Sequence, residues 1–160
     1  SHIAAFEYLI QNLARYVLKK YPKKIGDTSF TLTQILDIDN SDNLINLSID
    51  TYLNKLLYKK PMEYMKDFSE IMGIDQKVIE PKWKIFIEAK ARRDLGIHNQ
   101  WICNQIYINK LKEAGIEAKF QIGDVALPIE EKYFSKTYDE IYDLAHQIFQ
   151  LTIEKHPSNQ

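Results

Sequence analysis

Pro81-Lys-Trp83-Lys-Ile-Phe86-Ile87-Glu88-Ala-Lys90-Ala-Arg92-Arg93-Asp94-Leu95-Gly96-Ile97-His98-Asn99 is the stretch on which the reading of the chain turns. On a helical wheel of about 100° per residue, Trp83, Phe86 and Ile87 share one apolar arc. Toward the C-terminus the same face carries Lys90, Asp94 and His98, spaced i, i+4, i+8 so that they stack. Arg93 stands one step to the side, three residues from Lys90. A helix that begins apolar and turns charged on one face reads as the wall of a polar cleft or of a polar seam between two chains. Pro81 is taken to open this helix, which runs to about His98.

Working outward, proline and glycine punctuate a series of helical runs. Phe6, Leu9, Ile10, Leu13, Val17, Leu18 and Tyr21 recur at helical spacing, and Pro22 stops that run. Thr31 and Gln34 form the pattern of a capping box for a short helix to Asp37. Ser41 precedes a second long run through Leu57. Pro61 suits a helix first turn and Gly73 its end. Trp101 to Ala114 is read as a helix closed by Gly115. Ala118, Phe120 and Ile122 alternate with polar residues, as in a short extended segment. Pro128 is taken to begin a last helix that ends before Pro157. The expected fold class is all-α: an antiparallel bundle of four to five long helices plus short ones, with at most one small extended pair.

Composition agrees. The chain has 160 residues, 45% of them hydrophobic, few Pro and Gly, and a formal net charge of −1. That length suits one domain, 1–160, with a real core. The near-neutral charge argues against a broad basic surface for duplex DNA. The single cysteine, Cys103, excludes an intramolecular disulfide and a Cys-rich zinc site. No apolar run approaches the ~20 residues of a membrane span, and no signal peptide is evident. The expectation is a cytoplasmic protein that touches no membrane and uses no metal or cofactor. The start, Ser1-His2 without an initiator Met, is read as a cloning scar or the edge of a domain cut from a longer protein, whose further domains are then potential partners.

Arg93, four intervening residues and His98 resemble the Arg-x4-His hallmark of the HEPN superfamily, with the polar Asp94 directly after the arginine. Arg92-Arg93-Asp94-Leu95-Gly96-Ile97-His98-Asn99 is similar to the Arg-Arg-Asn-apolar-x-Val-His-Asn run of prokaryotic members, and Asn104 and Tyr107 stand where many members carry Asn and Tyr. Gly96 and Gln100-Trp101 depart from that pattern. The resemblance implies a helical bundle, a site built at a dimer seam, and a defence or toxin role in which RNA is cut, with a cognate antitoxin as a further potential partner.

The residue types suit that chemistry without metal. A ribose 2′-hydroxyl can attack its own phosphate if one group accepts the proton and another stabilises the phosphorane. His98 carries an imidazole, the side chain best suited to act as base or acid. Arg93 offers a permanent forked cation. Asp94, one turn before His98, can orient its ring. Asn99 and Lys90 are supporting candidates; Arg92, Asn104 and Tyr107 are candidates for holding substrate. Glu88 is expected to pair with Arg92 across one turn. On a straight helix Arg93 and His98 lie about 140° apart. Either Gly96 opens the helix, or a twofold dimer brings two copies of the strip together. The first reading is a metal-independent endoribonuclease for single-stranded RNA, working as a homodimer. The alternative is a non-catalytic helical module that dimerises or binds RNA or protein.

Overall fold

The computed structural model describes residues 1–158. It is all-helical: α1 (His2–Lys20), a 3-10 turn (Pro22–Ile25), α2 (Leu32–Leu36), α3 (Ser41–Leu57), α4 (Pro61–Met72), α5 (Gln76–Asn99), α6 (Gln105–Glu113) and α7 (Glu131–Lys155). The punctuation behaves as its chemistry requires. Thr31 and Gln34 close a reciprocal capping box. Pro61 sits in the first turn of α4, and Gly73, at φ 68°, ends it in the left-handed region that a Cβ disfavours.

Four boundaries differ from the sequence reading. Pro81 lies inside α5, which starts at Gln76 behind the N-cap Asp75, whose carboxylate accepts from the Lys77 amide at 3.0 Å. A capped start upstream outweighs the one helical hydrogen bond that a proline forfeits. Likewise α6 begins at Gln105 rather than Trp101, because Asn104 caps it and Trp101 is held at φ 65°. The extended segment at 118–122 is not a strand; among the described residues the sole β pairing is a single antiparallel bridge, Ile102 to Val125. Finally, α7 starts at Glu131, three residues after Pro128.

The core gathers on Trp83, which is 1% exposed. Phe6, Tyr64, Phe68 and Phe86 surround its indole at centroid distances of 5.6–6.0 Å. These rings come from α1, α4 and α5, so the apolar half of α5 is the centre of the bundle. Arg92 meets Tyr133, while Lys82 meets Asp143, so α5 and α7 run antiparallel. A second apolar cluster, with Ala91, Leu95, Cys103, Tyr107, Leu111 and Ala126, packs α6 and the following loop under the end of α5. That cluster positions the Arg93–His98 stretch.

Beside its buried line of Ile141, Leu144 and Ile148, α7 carries a second, exposed line: Phe134, Tyr138, Tyr142, Phe149 and Ile153. Tyr138 and Tyr142 stack on each other within it. His146 stands exposed on the same helix.

Candidate functional site

Gly96 does not open α5. The helix continues through it to Asn99, then stops abruptly at Gln100 and Trp101, both with positive φ. The Trp101 amide donates back to the Leu95 carbonyl at 3.0 Å, and the Trp101 indole folds over Gly96. A Cβ on residue 96 would fall 2.4 Å from the indole. The glycine is there to admit the ring. Asn99 completes the turn by donating its side-chain amide to the Ile102 carbonyl at 2.6 Å. Backbone hydrogen bonds then tie Trp101 and Cys103 to Ala126, Gly123 and Asp124. Burial raises the Cys103 thiol above its ordinary pKa, which suits its place in the core.

With α5 helical through Asn99, Arg93 and His98 face different ways. Arg93 points toward α1. Its fork donates to Glu7 at 3.3 Å and to Asp94 at 3.1 Å, while its buried Nε has no hydrogen-bond partner among the described residues. Lys90 pairs with the same Glu7 at 2.5 Å, and Lys110 of α6 pairs with Asp94 at 3.2 Å. Five charges thus alternate along the helix face: Lys90, Glu7, Arg93, Asp94, Lys110. Asp94 spends both oxygens on Arg93 and Lys110, so the expected role of orienting His98 gives way to a bridge between two cations.

His98 is exposed and lines a cleft of about 290 Å³ with Asp94, Asn104, Ile106, Tyr107 and Lys110. The cation in that cleft is Lys110, and Arg93 reaches it only through Asp94. Exposed isoleucines flank the histidine, Ile97 at 64% and Ile106 at 65%.

Three expected substrate contacts have internal partners. Arg92 is 7% exposed; its Nε donates to Glu88 at 2.8 Å, and its guanidinium packs 3.9 Å from the Tyr133 ring centroid and 4.8 Å from that of Phe120. Tyr107 and Tyr133 donate their hydroxyls to the same Glu88 at 2.9 and 2.7 Å. Burial first, then the Glu88 charge, pushes both phenols well above their usual pKa, so they stay donors. Asn104 caps α6 by accepting from the Tyr107 amide at 3.0 Å. The Glu88–Arg92 pairing was legible from the i, i+4 spacing; its two tyrosine donors were not.

Glu7 and Lys110 escaped the sequence reading. Glu7 lies 86 positions from Arg93, on a helix with no motif of its own. Lys110 had one available signal, its place one turn after Tyr107. Among the described residues no three His, Cys, Asp or Glu side chains are grouped to hold a metal, and no helix is long and apolar enough to cross a membrane. Compared with protein-family models, curated proteins and solved structures, the chain matches none.

Proposed function

We propose that this chain is a metal-independent endoribonuclease of HEPN type that cuts single-stranded RNA in the cytoplasm as a homodimer, in a defence or toxin role. The observation that carries the reading is the cleft at the end of α5. There an exposed imidazole, His98, faces an ammonium, Lys110, beside a carboxylate bridge to Arg93. In the reaction His98 takes the proton of the 2′-hydroxyl, the 2′-oxygen bonds to phosphorus, and the bond to the 5′-oxygen breaks. The leaving oxygen takes a proton from the second imidazole of the dimer. The products end in a 2′,3′-cyclic phosphate and a 5′-hydroxyl. Arg93 stabilises the phosphoryl charge when the phosphate displaces a carboxylate from its fork. Because α5 stays helical past Gly96, symmetry is the remaining route by which Arg93 and His98 meet, and the isoleucines beside His98 give that seam apolar area.

The test is cleavage of a labelled single-stranded RNA with EDTA present. DNA of the same sequence should survive. His98→Ala should abolish cutting in a folded protein, and Arg93→Lys should fail too, since an ammonium lacks the planar fork. Ile106→Glu should yield monomers by light scattering and lose activity with them. Undiminished cleavage by His98→Ala would sink the mechanism.

A second reading has its own support. The exposed aromatic line of α7 and the engagement of Arg93 by two carboxylates suit a non-catalytic helical module that dimerises or binds a larger partner. It is favoured if Tyr142→Glu on α7, and not Ile106→Glu, breaks the dimer.

A further inference from the structure

On the other side of Lys110 from the His98 cleft lies a second cavity, of about 180 Å³, between α1, α4, α5 and α6. Its wall is the half-buried ring of Tyr64, backed by the buried Trp83 on which it stacks, with Phe86 edge-on to the same indole. Its mouth is cationic. Lys59, Lys90 and Lys110 border it, whereas Glu7 is the one carboxylate that the described residues place in its lining. Each lysine keeps a third or more of its side chain exposed although each has a carboxylate partner. Gln11 adds an amide that can both donate and accept. Burial, reinforced by Glu7, pushes the Tyr64 phenol up to about 12, so at neutral pH it is a donor.

A flat apolar wall, hydrogen-bonding groups at its edge and ammonium groups at its mouth match one ligand class: a planar heteroaromatic ring carrying a phosphate. Stacking on an aromatic side chain inside a positive groove is how single strands are held without a sequence code. Ala91 and Lys110 border both this cavity and the His98 cleft. Along α5, Ala91 and His98 are about 10 Å apart at 1.5 Å per residue, a short step along an extended strand.

We infer that the cavity bounded by Tyr64, Trp83 and Lys110 is a base pocket, taking one unpaired nucleotide of the RNA strand whose scissile phosphate lies at His98. The inference rests on the ribonuclease reading for the identity of the strand, and its test is binding rather than cutting. A fluorescent single-stranded oligoribonucleotide is titrated by anisotropy with the His98→Ala protein. The titration is repeated with a single abasic site moved along the strand, with Tyr64→Leu in the same background, and with free nucleoside monophosphates as competitors. The expected result is one abasic position that weakens binding about tenfold or more, with a similar loss in Tyr64→Leu and no further loss when the two are combined. A flat abasic scan with undiminished binding overturns the pocket and leaves the ribonuclease reading standing. Mononucleotides that bind in a Tyr64-dependent way, with no binding of the strand, overturn both the RNA assignment and that reading. If Tyr64→Leu fails to fold, the abasic scan alone decides, since it changes the ligand and leaves the protein intact.

Discussion

Replacing Glu88 with alanine removes the one carboxylate among the described residues that meets Arg92, while Arg92 stays 7% exposed with its guanidinium against two aromatic rings. It also takes the acceptor from the hydroxyls of Tyr107 and Tyr133. Breaking a buried ion pair from one side costs about 3–5 kcal/mol, because the surviving charge keeps its desolvation and loses its partner. The ring faces recover part of that through cation–π attraction, and the orphaned hydroxyls add to it, so the range stands. For a domain of this size, ~1 kcal/mol moves the melting temperature by roughly 2–4 °C, which places the loss at about 6–20 °C. Thermal unfolding followed by circular dichroism reads it directly. The paired replacement Glu88→Leu with Arg92→Met should be far milder than the single change, since it removes the unpaired charge with the pair. A Glu88→Ala protein that melts within about 2 °C of the parent would refute the scaffold role assigned to this cluster. Arg92 would then be free to serve the substrate contact expected of it from the sequence.

Gly96→Ala gains about 1 kcal/mol of helix propensity but drives a methyl into the Trp101 ring, and overpacking costs about 1–3 kcal/mol. The expected net is a lower melting temperature, restored when Trp101→Leu is added; a single variant more stable than the parent would contradict the packing. Glu7→Gln should free part of Arg93 and Lys90, tighten RNA binding and steepen its dependence on salt, measured by anisotropy at two ionic strengths. Unchanged binding would mean that Arg93 does not reach the strand. Tyr107 and Tyr133 hold their protons in the folded state more tightly than their ordinary pKa of about 10 allows in the unfolded one. Their contribution is therefore complete below about pH 10 and is lost as pH rises through their folded values, since only the unfolded chain releases the protons early. Denaturant midpoints should fall above about pH 10, and less steeply in Tyr107→Phe; equal slopes would contradict the shift.

Helix existence was legible because it depends on local periodicity and caps. The capping box at Thr31 and the Pro61-to-Gly73 span are decided within a few residues, and they fold as they read. Boundaries failed where two local signals competed. Pro81 and Pro128 look like helix starts, yet Asp75 caps α5 and α7 waits for Glu131. Gly96 failed differently. Its spare volume is filled by a ring five residues on, and no periodicity shows that a glycine is an absence shaped for a neighbour. The Lys90–Asp94–His98 face was correctly placed on one helix, but its partners were out of reach. Glu7 comes from the first helix and Lys110 from the sixth, and together they decide which way Arg93 is held.

The backbone pairing of Trp101 and Cys103 with residues 123–126, together with the Tyr133 hydroxyl on Glu88, has a consequence for the order of synthesis. A nascent chain that has emerged only as far as Lys119 already contains Arg93 and His98. It lacks the segment that fastens the turn after them and one of the two hydroxyls that steady Glu88. The motif is written well before the groups that hold it in place. Synthesis would therefore complete the support of this stretch only once Tyr133 has emerged, and a chain cut short before it would leave Arg93 and His98 on an unfastened turn.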